Sequence, residues 1–280
     1  MLRILPKSLR YANIKKFHTS GVSHRSLVTC TDKDGIREFA LNDPKRRNAL
    51  SMEMMDELLA GLTTGLDDRN IGCAVISSTG SVFSSGHNFK ELAPEEGYDN
   101  HKKVFTKCAD LMRAIHNAPV PIIAKVDGLA AAGGCQLVAS CDIVVCTDRS
   151  SFSTPGANFG LFCSTPGIAI SRTIPRNKAL YMLFTGLPIS AQEAYIAGLV
   201  SQVVPQNELD KKVNEICRSI ISKSRNVLEL GKQFYHKQIL MDIETAYECG
   251  ATVMADNLNL PDGQEGVRSF FDKRRPKWKK

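Results

Sequence analysis

Sixteen residues, Asp127-Gly-Leu-Ala-Ala-Ala-Gly-Gly-Cys-Gln-Leu-Val-Ala-Ser-Cys-Asp142, constrain this 280-residue chain more than any other stretch. The apolar run Ile122–Val126 precedes them, just after Pro119-Val-Pro121, and reads as a buried strand. A second apolar run, Ile143-Val-Val145, follows. Between the two, a cluster of Ala and Gly leads into a short helix. Strand, small-residue turn, helix and strand imply an α/β layered fold. Small side chains at such a turn let a ligand approach the backbone closely. The first helical turn leaves N–H groups without internal acceptors, and together these can hold a developing negative charge on oxygen. Gln136, an amide, stands just inside the helix where an acid–base catalyst would be expected.

The rest of the chain extends the α/β pattern. Segments 27–31 and 36–41 flank Asp34-Gly35 and read as a hairpin. Ser51 reads as a helix N-cap, with Leu58, Leu59 and Leu62 supplying an apolar face. Residues 71–77 read as a strand followed by a loop over 80–86, and 94–100 as a mobile polar loop. A helix is expected over 102–116, and a long loop over 152–166. From about Gly167 the chain reads as mainly helical, with a short strand at 200–204 and an amphipathic helix over 208–224. A division follows: residues 1–26 as a leader, 27–200 as the core, and 201–280 as a helical C-terminal region.

Composition bears on the address. The net charge of +7 would suggest a polyanionic partner, but Arg3, Lys7, Arg10, Lys15, Lys16 and Arg25 all precede the first acidic residue, Asp32. Removing these six leaves 30 basic against 29 acidic residues, a nearly neutral body. Residues 1–26 lack Asp and Glu and mix cations with Ser, Leu, Ile, Tyr and Phe, the composition of a mitochondrial transit peptide. A disordered basic tail is the competing reading. Nine cysteines form no CxxC pair and sit mostly in apolar runs, so they read as reduced core thiols, and no metal site is expected. No apolar stretch reaches the roughly 18 residues that span a membrane.

Two Gly-containing loops follow strands, Ser84-Ser-Gly-His87 and Ala132-Gly-Gly134. If the strands are neighbours, N–H groups from both loops can converge on one oxygen, polarising a thioester carbonyl and stabilising an enolate. Plain turn chemistry explains the same letters.

These residues also carry a resemblance. Asn42-Asp-Pro-Lys-Arg-Arg-Asn-Ala-Leu-Ser51, Phe83-Ser-Ser-Gly-His-Asn-Phe-Lys-Glu-Leu92, Pro121-Ile-Ile-Ala-Lys-Val-Asp-Gly128 through Asp142, and residues 191–204 resemble, in that order, the crotonase superfamily of enoyl-CoA hydratases and isomerases. The resemblance covers essentially all of 27–280. It implies a crotonase-like spiral of ββα units with a helical C-terminal trimerisation region, an acyl-CoA as ligand or substrate with no other cofactor, and a homotrimer or dimer of trimers. It makes the backbone N–H groups of His87 and Gly133 the oxyanion-hole donors. The His87 side chain could narrow the acyl pocket, or simply be a surface-turn histidine. Lys45, Arg46, Arg47 and Ala49 align with the stretch that approaches the CoA adenine and phosphates, although a solvated charge run reads similarly. Lys273 and Arg274 match a C-terminal basic pair that reaches CoA from a neighbouring subunit.

The departures weigh more. Hydratases of this kind use two glutamates, one removing and one delivering a proton. Their positions are Gln136, which exchanges no proton, and Gly156, which has no side chain. Each such group contributes about 10²–10⁴ in rate, so hydratase activity is expected to be weak or absent. Glu91, Asp110 and Cys163 are the remaining candidates for replacement groups, while Asp142 reads as structural. The expectation is an acyl-CoA-binding protein of fatty-acid and lipid metabolism in the mitochondrial matrix. The alternatives are an enzyme relying on the oxyanion hole alone, for thioester hydrolysis or decarboxylation, and a non-enzymatic RNA-binding or regulatory module. The near-neutral body and the absence of aromatics interleaved with cations argue against nucleic acid.

Overall fold

The computed structural model describes residues 26–279, so the leader, apart from Ser26, lies outside the described residues. Asp34 and Gly35 both take positive φ (+53° and +81°), the requirement of a tight two-residue hairpin turn. They join β1 (Val28–Lys33) to β2 (Ile36–Leu41) in antiparallel register. Ser51 caps α1 (Met52–Thr63) by accepting from the Met54 N–H, and Met54, Met55, Leu58 and Leu62 bury one helical face.

A repeated unit follows. β3 (Cys73–Ser78), β4 (Val82–Ser84) and α2 (Gly97–Asn117) form one turn. β5 (Ile122–Val126), β6 (Leu129–Ala131) and α3 (Gly133–Ser140) form the next. β7 (Ile143–Thr147) and β8 (Ser151–Ser153) begin a third, continued by α4 (Ser164–Thr173) and α5 (Arg176–Thr185). β9 (Ile189–Ser190), α6 (Ala191–Ile196) and β10 (Gln202–Val204) close the spiral. Each turn sends its first strand to one sheet, ordered β1-β2-β3-β5-β7-β10, and its second to another, ordered β4-β6-β8-β9. Pairing between successive turns is parallel. The central strands β3, β5 and β7 are buried on both faces because that part of the sheet is covered twice. Ala74, Ile76, Ile122 and Ala124 face the main core with α1 to α3, whereas Cys73, Val75, Ile123 and Val145 meet Leu209, Val213 and Cys217 of α7 (Leu209–Ile221).

Helices α8 (Arg225–Gln238), α9 (Ile243–Asn259) and α10 (Pro261–Phe271) complete the chain. Neither α8 nor α9 has a fully buried residue, and Tyr235, Ile243, Tyr247, Met254, Phe270 and Phe271 are exposed. α8 is nevertheless anchored. Lys232 donates to the Asp142 carboxylate at 2.6 Å and to the carbonyls of Ile115 and Val120, and Asp142 also accepts from the Ile122 N–H. That places Asp142 as a structural residue.

Three sequence expectations are corrected. The loop over 80–86 contains β4, because Val82 and Phe83 supply enough apolar surface for a short strand beside β6. The polar segment 94–100 is a 3₁₀ turn running into α2, which starts at Gly97, five residues earlier than the apolar pattern suggests. The loop over 152–166 holds β8, a 3₁₀ turn over Pro155–Phe159 and the start of α4. Among the described residues, no helix is long and apolar enough to cross a membrane.

Candidate functional site

The strands that deliver the two glycine turns are β4 and β6, neighbours in the second sheet, rather than the longer strands that precede them. Adjacent turns of the spiral therefore set Ser84–His87 beside Ala132–Gly133. The contact leaves no room to spare. A methyl group on Gly86, where φ is +90°, would lie 2.8 Å from the Ala132 Cβ, 2.9 Å from the Ala131 oxygen and 3.1 Å from the Gly133 nitrogen. Ala132 takes φ +48° and ψ −116°, a conformation that strains any residue with a Cβ. It is held there by donating to the Ser153 carbonyl on β8 and by accepting from the Gln136 N–H. Gly133 is the first residue of α3, and neither its N–H nor that of His87 meets an acceptor among the described residues. Two unspent backbone donors are thus carried by abutting turns.

His87 is 9% exposed, so it is not a surface-turn histidine. Its ring meets Phe105 of α2 edge-on, with centroids 5.2 Å apart, and its Nε2 would be 3.2 Å from a Cβ on Gly133. Burial lowers its pKa to about 4, offset only in part by the Leu50 backbone. The ring is neutral at physiological pH. Gln136, also buried, accepts from the Cys108 thiol at 3.7 Å. Burial pushes the thiols of Cys108 and Cys135 up to about 12, so neither is a nucleophile near neutrality.

At Gly156 the geometry is decisive. A Cβ there would lie 2.1 Å from the Leu161 carbonyl oxygen and 2.7 Å from the Cys163 sulfur. The loop is folded onto the glycine: Leu161 N–H donates to the Gly156 carbonyl, and Gly156 N–H donates to Cys163 Sγ. Burial raises the Cys163 thiol, which the Gly156 N–H only partly counters. The other replacement candidates are occupied as well. Glu91 caps α1 through the Met52 N–H, and Asp110 pairs with Arg113 at the surface.

The basic run is brought to the site. Ser85 N–H donates to the Arg47 carbonyl, and Leu50 N–H to the Gly86 carbonyl, which ties the segment carrying Lys45, Arg46, Arg47 and Ala49 to the first turn. All three cations are exposed. Asn48, which sequence reasoning passed over, is the clamp. It is fully buried, takes φ +51°, and its amide donates to the carbonyls of Thr79 and Val82 while accepting from Asp43. An Asn following a basic run is the one sequence signal for it, since Asn tolerates the left-handed region. Lys273 and Arg274 are not brought to these turns by any contact. Arg274 is engaged by Glu265 at 2.6 and 2.9 Å and by Asp272 at 3.1 Å. Among the described residues no cluster of three or more His, Cys, Asp or Glu could hold a metal.

A two-sheet spiral of ββα turns that packs two glycine turns side by side defines a crotonase-fold protein, and solved structures of that fold superpose on it. The enoyl-CoA hydratase/isomerase family model matches residues 31–280, and the chain belongs to that family. It is 54% identical over 245 residues to human mitochondrial enoyl-CoA hydratase domain-containing protein 3, covering 88% of this chain and 81% of the human one. The Xenopus laevis protein of the same name is 48% identical over 276 residues, covering 99% and 92%. The crystal structure of the human protein matches with a TM-score of 0.89 at 52% identity, covering 90% of this chain and 100% of that one. These relatives are named as mitochondrial, in agreement with the leader composition.

Proposed function

We propose that this chain binds acyl-CoA thioesters in the mitochondrial matrix, within fatty-acid and lipid metabolism, and hydrates enoyl thioesters weakly or not at all. The observation that carries the second half is Gly156. The second carboxylate is missing, and the space its side chain would need is filled by Leu161 and Cys163. Gln136 stands at the first carboxylate position and exchanges no proton. The binding half is supported by the unspent N–H groups of His87 and Gly133. Exposed Lys45, Arg46 and Arg47 on the adjoining segment suit the CoA phosphates. The apolar faces left open on α8 to α10 support assembly into a homotrimer or dimer of trimers, in which Lys273 of one subunit would serve the CoA of the next.

The test pairs two measurements on the oligomeric protein. Crotonyl-CoA and butyryl-CoA should raise the melting temperature while crotonyl-CoA hydration stays at background. Installing Gln136→Glu together with Gly156→Glu should not raise hydration, because the second change collides with backbone. Its expected destabilisation is about 1–3 kcal/mol. Robust hydration that disappears in Gln136→Ala would overturn the reading. The free donor pair also favours a second reading, an acyl-CoA reaction needing only carbonyl polarisation. Release of free CoA or of CO₂ across an acyl-CoA panel would establish it.

A further inference from the structure

The junction that fastens α8 to the spiral gathers more titratable groups than its anchoring requires. Lys232 and His236 lie one turn apart on the same face of α8 and both reach Asp142, in the turn between α3 and β7. Lys232 meets Oδ2 at 2.6 Å and also donates to the carbonyls of Ile115 and Val120. His236 Nε2 lies 3.5 Å from Oδ1, buried and outside hydrogen-bond geometry. The His236 ring stacks on that of His116, in the last turn of α2, with centroids 4.6 Å apart and planes inclined by 19°. Three elements contribute groups here: His116 from α2, Asp142 and Cys141 from the α3–β7 turn, and Lys232, Tyr235 and His236 from α8. Burial keeps the Cys141 thiol protonated, so Asp142 is the one anion among them.

We propose that the stacked pair His116 and His236 is an acid-sensitive latch, which holds α8 on the spiral while at most one ring is protonated and releases α8, with the helices that follow it, when the second is. Lys232 already neutralises Asp142, so the charges balance with both rings neutral. One proton on the pair is a surplus that Asp142 shares. A second sets two cations face to face beside the Lys232 ammonium, with a single carboxylate for all three. Burial lowers the His116 pKa first, and His236 and Lys232 lower it further against the pull of Asp142. Once α8 lifts, the ring meets water and returns to its ordinary value of about 6.5. The released state therefore binds more protons, so docking is complete above about pH 6.5 and weakens as pH falls below it. Because α9 and α10 carry exposed apolar faces, the same step loosens the surface that assembly would use. The latch is independent of acyl-CoA binding.

Hydrogen exchange of the full chain, read by mass spectrometry at about pH 7.5 and about pH 5.5 and corrected for the intrinsic rate, tests this. Peptides from α8 should exchange severalfold faster at the lower pH. About tenfold is the ceiling, since a free ring one unit below 6.5 is about ten times more often protonated than not. The strands at 122–126 and 143–147 should keep their protection. His116→Phe preserves a flat ring in the stack without a proton site, so it should match the native protein at about pH 7.5 and lose the acid response. His236→Gln, which keeps a donor for Asp142, should lose it too. Equal α8 exchange at the two pH values in the native protein overturns the proposal. So does an acid response that survives both substitutions, or one spread evenly over strands and helices, which is the mark of global destabilisation by other groups. Should His116→Phe fail to fold, His236→Gln decides by the same criterion.

Discussion

Gly156 and His87 show how much a single position changes once its neighbours are known. In the sequence Gly156 stands where the family resemblance implies a carboxylate, whereas in the fold it is also a missing volume, closed by the Leu161 carbonyl. His87 changes more, from a turn residue of open role to a buried neutral base. The depressed pKa gives a sign. The unfolded chain takes up the His87 proton near its ordinary value of 6.5, and the folded chain only near 4. Stability contributed by the neutral ring is therefore complete above about pH 6.5 and is lost as pH falls toward 4, by roughly 3 kcal/mol in total. Denaturation of the native protein and of His87→Phe across this window should give a steeper acid loss for the native protein. Parallel curves would show that the ring is not sealed as described.

Among the elements, the connection between α8 and the signature segment governs whether the C-terminal helices stay on the spiral. Lys232 is 6% exposed and joins Asp142, at the end of the α3 turn, to the carbonyls that close α2. Burial alone would raise the Asp142 carboxyl, but His236, Lys232 and the Ile122 N–H together hold it below the ordinary range, so its contribution is present above about pH 4 and fades below. Lys232→Met leaves a buried carboxylate without its cation and should destabilise the fold by about 3–5 kcal/mol in denaturant titration. Adding Asp142→Asn should recover part of that loss, since the two sites are in contact. Element identity was largely legible: the Asp34-Gly35 hairpin, the Ser51 cap and the apolar runs at 122–126 and 143–145 follow from turn chemistry and periodicity. β4, β6 and β8 were not, because three-residue strands carry too little periodicity to be separated from loops.

For the whole molecule, the apolar faces of α8, α9 and α10 set the expectation. α8 and α9 line an open groove of about 680 Å³ that includes Leu230, Phe234, Ile243, Tyr247 and Met254, and Phe270 and Phe271 protrude from α10. Exposed apolar area on this scale marks a protein-interaction surface. On the trimeric assembly proposed above, light scattering should report a homo-oligomer in multiples of three. Tyr247→Asp, which places a charge in that face, should shift it toward smaller species. A native protein that is monomeric at micromolar concentration would refute the assembly.

The sequence by itself determined the family and the α/β layering, because these depend on local composition, turn residues and motif order. The tertiary structure alone decided that β4 and β6 are the strands setting the two glycine turns side by side, that Asn48 clamps the basic run to the first turn, that Leu161 and Cys163 fill the space beside Gly156, and that the His87 ring is buried. Each of these depends on distances between residues separated by tens of positions. Such distances are set by the pitch of the spiral and the packing of its turns, which no short window of sequence encodes.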